Sequence, residues 1–181
     1  MHMATRPKRW TLAELHRLPD DGNKYELVRG DLLVTPPPSE EHETIIARLT
    51  RILDPYVAVH ELGLVYHARA VVRYDGSEVE PDLMVRQPPT GAVRRDWENA
   101  PTPVLVVEVI SGSTRRRDFG EKRGFYGEAR VPEYWIIDAE HRSVLVVRPN
   151  VPDVVVTDRL GWRPNGVADT LDIDLPALFD G

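Results

Sequence analysis

The segment Val104-Leu105-Val106-Val107-Glu108-Val109-Ile110 decides the fold. It is apolar on both faces except at Glu108, which is the pattern of a central strand covered on both sides. A charge there is costly unless it is paired or bound to a metal. Alternation sets Glu108 on one face with Val106 and Ile110. Two explanations stand side by side: a strand-end carboxylate paired with an arginine, or a ligand for a cation.

Upstream, Val79-Glu80-Pro81-Asp82-Leu83-Met84-Val85 predicts a second strand, with Glu80, Asp82 and Met84 on one face. Pro81 removes a ladder donor, so the strand starts irregularly or at an edge. An aspartate after a proline commonly serves a turn. Here, though, one acidic strand residue precedes another across a single loop, and adjacent strands would bring both carboxylates to one side of the sheet. Downstream, a helix is predicted over 118–129, with Phe119, Lys122, Tyr126 and Ala129 as its inward stripe. Lys122 stands in an apolar slot. It is either a lysine snorkelling from the edge of the stripe or a cation aimed at the two carboxylates. Two carboxylates and a lysine suit a hard cation such as Mg²⁺ and phosphate chemistry.

The rest of the chain supplies the frame. Thr11 and Glu14 have capping-box spacing before a helix over 12–18. A hairpin follows over 24–34, bending at Arg29-Gly30-Asp31. A helix over 39–53 carries the stripe Ile45, Ile46, Leu49, Ile52 and Leu53, and Pro55 is expected to stop it. One strand over 64–74 is expected to join the strand at 79–85 through Asp75-Gly76. Residues 86–103 read as a loop. Strands are predicted over 133–138, 143–148 and 154–157, and a short helix or packed turn over 171–179. The order predicts a mixed α/β sandwich around one sheet. A single domain over 1–181 is expected, with its core over about 24–149 and a C-terminal extension over 150–181.

Composition excludes several classes. The chain of 181 residues is 41% hydrophobic and 29% charged, ordinary for a soluble globular domain. It has no cysteine, so a disulfide framework and a thiolate metal site are both excluded. No apolar run approaches the roughly 20 residues of a membrane span, and Met1-His2-Met3 lacks the apolar core of a signal peptide. The expected location is cytoplasmic, with no membrane partner. The formal net charge of −6 counts against a tight non-specific grip on DNA. A centre built around a divalent cation, however, needs carboxylates, and the local field matters more than the sum. The basic residues clump at Arg6, Lys8 and Arg9, at Arg94 and Arg95, and at Arg115, Arg116 and Arg117, a pattern that also suits solvated loops. There is no glycine-rich phosphate loop, and the six histidines show no zinc-ligand spacing.

The chain resembles the restriction-endonuclease-like, or PD-(D/E)xK, nuclease superfamily, and within it the Uma2 group of bacterial endonucleases. The resemblance rests on an ordered set of stretches: Tyr25-Glu26-Leu27-Val28-Arg29-Gly30-Asp31-Leu32; His42; Glu80-Pro81-Asp82-Leu83; Val107-Glu108-Val109-Ile110-Ser111; Asp118, Lys122 and Tyr126; and Pro132-Glu133-Tyr134-Trp135-Ile136-Ile137-Asp138. It implies a mixed central sheet flanked by helices, with an N-terminal helix and hairpin. It also implies an endonuclease using Mg²⁺ or Mn²⁺ on DNA. Asp82 and Glu108 match the metal-binding carboxylates. Ile110 stands where the superfamily places its lysine, and in the Uma2 group that lysine comes from the next helix, where Lys122 lies. Asp82, Glu108 and Lys122 are therefore the expected catalytic residues.

Glu26 is an expected accessory carboxylate, or a hairpin salt-bridge partner. His42, one turn before Ile45 and Ile46, faces inward, to touch phosphate or simply to pack. The hydroxyls of Ser111–Thr114 could meet phosphate or cap a helix. Cutting two strands would suit a homodimer, with the hairpin and the C-terminal strands as its interface. The alternative function is a non-catalytic nucleic-acid or protein-binding module that keeps the nuclease fold. A third is a hydrolase of another phosphate ester.

Overall fold

The computed structural model describes residues 8–67, 69–88, 97, 100–110 and 115–180. In chain order they form α1 (Leu12–Leu15), β1 (Lys24–Val28), β2 (Asp31–Thr35), α2 (Glu40–Val59), β3 (Leu64–His67), β4 (Val72–Tyr74), β5 (Ser77–Val79), β6 (Leu83–Arg86) and β7 (Leu105–Ile110). Then come α3 (Arg115–Arg117), a π-helical segment (Asp118–Lys122), α4 (Arg123–Glu128), β8 (Tyr134–Asp138), β9 (Ser143–Val147), β10 (Val154–Val156), β11 (Arg159–Trp162), β12 (Leu171–Asp174) and α5 (Leu175–Asp180). Most of the predicted loop at 86–103, and the hydroxyl cluster Ser111–Thr114, lie outside the described residues.

The fold is mixed α/β, but the expectation of one sheet is corrected. The described residues hold a six-stranded sheet in the order β10-β9-β8-β7-β6-β3, a four-stranded sheet β2-β1-β5-β4 and a two-stranded ribbon β11-β12. β7 is central, as its apolar run predicts, and all six of its residues are buried. It pairs antiparallel with β6 and parallel with β8, through the crossover that carries the π segment and α4.

Alternation along β7 splits the core into two layers. Leu105, Val107 and Val109 pack with Leu49, Leu53 and Val57 of α2 and with Trp135 and Trp162. Val106 and Ile110 pack on the other side with Phe125, Tyr126, Tyr134 and Val79. Glu108 belongs to this second face. The four-stranded sheet and α4 therefore enclose it.

Several predicted boundaries are corrected. Pro55 does not stop α2; it lies inside a helix that runs on to Val59. The proline removes one helical hydrogen bond, but the burial of Leu53 and Val57 against the sheet holds the segment helical. The expected strand over 64–74 is two strands in two sheets. β3 pairs with β6, while β4 pairs with β5. The chain turns between them at Arg69, whose φ of 74° is left-handed. The Asp75-Gly76 turn is present, with φ of 44° and 71°, both positive as a tight type I′ hairpin requires, but it joins β4 to the short β5, and the strand expected over 79–85 is divided: Val79 closes β5 in one sheet and Leu83 opens β6 in the other. The ribbon β11-β12 has no counterpart in the sequence-based expectation.

Other details match. Thr11 and Glu14 form the capping box of α1 in both directions. Ser39 caps α2, accepting from the His42 amide. At the other end of α2, Gly63 (φ 114°) lets the chain pass against β6, where a Cβ would lie 2.2 Å from the Arg86 carbonyl oxygen. No helix among the described residues is long and apolar enough to cross a membrane.

Candidate active site

Glu108 leaves β7 toward α4 and meets Lys122, whose Nζ lies 2.9 Å from Glu108 Oε1. The Tyr126 hydroxyl donates to the same oxygen at 2.7 Å. Lys122 is also 3.0 Å from Glu26 Oε1 and 3.5 Å from Asp118 Oδ1. Three carboxylates from three elements thus share one ammonium. The π segment makes this possible. Its wide turn directs both Asp118 and Lys122 inward, where each is buried. Such segments are often found at functional sites.

Asp82 sits just before β6, not within it. The register Leu83↔Val107 places it beside Glu108 across the β6–β7 pair. Pro81 ends the backbone ladder, and the Asp82 side chain continues it: the Val109 amide donates to Asp82 Oδ2 at 2.9 Å. His42 Nε2, from the first turn of α2, is 3.0 Å from the same oxygen. Lys24 Nζ, from the start of β1, donates to Asp82 Oδ1 at 2.7 Å and to the Glu80 carbonyl at 3.1 Å. It also lies 3.9 Å from Glu108 Oε2. Glu26 fixes the same turn from below, because its Oε1 accepts the Glu80 amide at 2.9 Å.

All five expected residues, Asp82, Glu108, Lys122, Glu26 and His42, are therefore brought to one place. Three further groups join them that the site assignment from sequence missed: Lys24, Asp118 and Tyr126. Asp118 and Tyr126 stand in the stretches that carry the family resemblance. Lys24 has no such signal, since a lysine opening a hairpin strand usually points to solvent.

Lys24, His42, Asp82, Glu108, Asp118 and Lys122 line a cleft of about 710 Å³, together with Pro36, Pro37 and Pro38, while Glu26 and Tyr126 stand behind them. The cleft is acidic. Four carboxylates (Glu26, Asp82, Glu108 and Asp118) face two ammoniums (Lys24 and Lys122), an excess of two negative charges with His42 neutral and of one with His42 protonated. Burial would push the Asp82 carboxyl up, but Lys24 and the His42 contact hold it well below the ordinary range. Burial lowers the affinity of Lys24 for its proton, and Lys122 lowers it further. Asp82, Glu108 and Glu26 outweigh both, so Lys24 stays charged. Burial likewise opposes the charge on Lys122, but Glu108, Glu26 and Asp118 hold its ammonium protonated. Burial raises the Glu108 carboxyl; Lys122 pulls it back, while Asp82 pushes it up.

Among the described residues, four members of the basic clumps have local partners. Lys8 pairs with Glu14, Arg9 with Asp31, and Arg115 with Asp138, while Arg117 donates to the Val34 carbonyl. Arg6, Arg94 and Arg95 lie outside the described residues. A separate cluster, Asp138, Glu140 and His141, brings its ligand atoms within 4.8 Å of one another near the cleft rim. Arg115 already neutralises Asp138 there, at 2.6 Å.

Comparison with known proteins agrees with this architecture. The family described as "Uma2: Putative restriction endonuclease" matches residues 12–175. The chain belongs to the Uma2 family. Among solved structures, it is similar to "a putative nuclease belonging to DUF820 from Anabaena variabilis ATCC 29413". The TM-score is 0.76 at 20% identity, with 94% of this chain and 97% of that chain covered. That likeness is one of fold. No curated protein matches.

Proposed function

We propose that this Uma2 chain is an endonuclease that uses Mg²⁺ or Mn²⁺ to hydrolyse phosphodiester bonds in DNA. One observation carries the proposal. Asp82 Oδ1 and Glu108 Oε2, on two residues that line a cleft, share a single ammonium in a cluster where carboxylates outnumber ammoniums four to two.

The donor set fits a hard divalent cation. It consists of carboxylate oxygens, with the Glu80 carbonyl beside them. Behind them the fully buried Glu26 Oε2 has no hydrogen-bond partner among the described residues, a further sign that the cluster is short of positive charge. Asp82 and Glu108 would hold the ion. When bound, it supplies Lewis acidity and an activated water near neutral pH.

The chain's own groups prepare that chemistry. Lys122 and Tyr126 fix Glu108 by Oε1, which leaves Oε2 on the side of Lys24. The Val109 amide and His42 fix Asp82 by Oδ2, which leaves Oδ1. Glu26 holds the turn that carries Asp82. Lys122, on the floor of the cleft, stabilises charge developing on the phosphate and stands in for the lysine that Ile110 displaces. The pairing of the basic clumps suits a cleft that engages DNA at the scissile phosphate more than one that grips it broadly. The retention of every candidate group in one connected cluster argues against a non-catalytic binding module.

The test is cleavage of plasmid and single-stranded DNA with Mg²⁺, Mn²⁺ or EDTA, for wild type beside Glu108→Ala and Lys122→Ala. Cleavage that needs the metal and vanishes in both variants is expected. Metal-independent cleavage, or full activity in Glu108→Ala, would refute the assignment.

A further inference from the structure

We propose that Lys24 is an exchangeable stand-in for the metal: its ammonium occupies the place between Asp82 and Glu108 that a divalent cation takes, and withdraws into the cleft when the cation binds. This rests on the metal-dependent function proposed above and adds a competitor built into the same site.

The argument begins with the oxygens around Lys24 Nζ. They are Asp82 Oδ1 at 2.7 Å, the Glu80 carbonyl at 3.1 Å and Glu108 Oε2 at 3.9 Å. This is an all-oxygen set of two carboxylates and a backbone carbonyl, the donor type of a hard divalent ion. The ammonium and the metal need the same two carboxylate oxygens, so full occupancy by one excludes the other.

The two lysines of the cluster differ in how firmly they are held. Lys122 is 4% exposed and is held by Glu108, Glu26 and Asp118 from behind. Lys24 is 22% exposed, opens strand β1 and lines the cleft. Its flexible stem can swing into about 710 Å³ of open space without disturbing the core. Lys122 lines the same cleft, but three carboxylates hold it, at 2.9, 3.0 and 3.5 Å, and it is almost fully buried. The geometry therefore makes Lys24 the mobile cation and Lys122 the fixed one. Without metal, Lys24 keeps Asp82 and Glu108 from repelling each other. With metal, that task passes to the ion.

The experiment measures Mn²⁺ binding by calorimetry for wild type, Lys24→Met and Glu108→Ala. It is paired with NMR of ¹³C-lysine-labelled wild type titrated with Mg²⁺. Removing the competitor should tighten Mn²⁺ binding by at least about fivefold, the low end of a typical coupling between two sites. The Lys24 Cε signal should shift with Mg²⁺ by more than that of Lys122, which Glu26 and Asp118 also hold. If wild type binds Mn²⁺ through Glu108 but Lys24→Met binds it no more tightly, or the Lys24 signal does not respond, the exchange is refuted and the metal site stands. If Glu108→Ala leaves Mn²⁺ binding as in wild type, both proposals fall together. The NMR arm decides the matter even if Lys24→Met fails to fold.

Discussion

The Tyr126 hydroxyl donates to Glu108 Oε1 at 2.7 Å, deep between α4 and β7. The same oxygen faces Lys122 at 2.9 Å. Burial and the Glu108 charge push the phenol well above its ordinary range, so Tyr126 keeps its proton and remains a donor. Tyr126→Phe removes one charge-assisted hydrogen bond and leaves Lys122 in place. The expected cost is about 1.5–3 kcal/mol of stability. For a domain of this size that is a fall of roughly 3–12 °C in Tm. Thermal unfolding followed by circular dichroism checks it. A variant as stable as wild type would mean that the hydroxyl gains nothing from Glu108. Cleavage should weaken but persist, because Lys122 still holds the carboxylate.

Lys122→Met is a harsher change. It leaves Glu26, Glu108 and Asp118 without the ammonium they share. Breaking a buried ion pair from one side costs about 3–5 kcal/mol. The double variant Lys122→Met/Glu26→Gln should recover part of that loss, because one uncompensated charge goes with the lysine. Urea denaturation of wild type, single and double variants tests it. If the second change adds a further independent loss, the three carboxylates do not compete for Lys122.

Much of this site was legible because charged residues interrupt apolar patterns. Glu108 breaks a strand buried on both faces, and Lys122 fills an apolar slot in a helix stripe. The structure brings the two together, with Asp82 beside them. Lys24 was not legible. Its site role depends on a contact with Asp82 spanning 58 positions, and its own neighbourhood reads as an ordinary hairpin strand. The division into three sheets was hidden for a similar reason. Residues 64–74 are uniformly strand-like, and the break at Arg69 occurs in a left-handed conformation without the glycine or asparagine that usually marks one. Pro55 misled in the opposite direction: a local stop signal lost to the burial of Leu53 and Val57.

His42 gives the site a pH signature. Burial pulls its imidazole down, but the hydrogen bond and charge of Asp82, with Glu43, hold it above its ordinary value. A group raised in the folded state contributes stability that is complete below its unfolded value, about 6.5. That stability is lost as pH rises through the folded value. The stability difference between wild type and His42→Asn, measured in EDTA, should therefore shrink as pH rises from about 5 to 9. A difference that stays flat over that window would show that His42 does not pair with Asp82 as a cation.

Pro55 offers a prediction remote from the site. It lies inside α2, where it supplies no amide and its ring crowds the carbonyl one turn back. Its side chain is exposed, so no packing is lost when it is replaced. Pro55→Ala restores a donor and the strongest helix propensity, a gain of up to about 3 kcal/mol in a helix interior. Against this, the unfolded chain regains about 0.4–1 kcal/mol of conformational freedom. A net stabilisation of about 1–2 kcal/mol is expected, with metal binding and DNA cleavage unchanged. Chemical denaturation decides it. If the alanine variant is less stable, the proline is favoured where it stands, and α2 is bent there to fit the sheet beneath it.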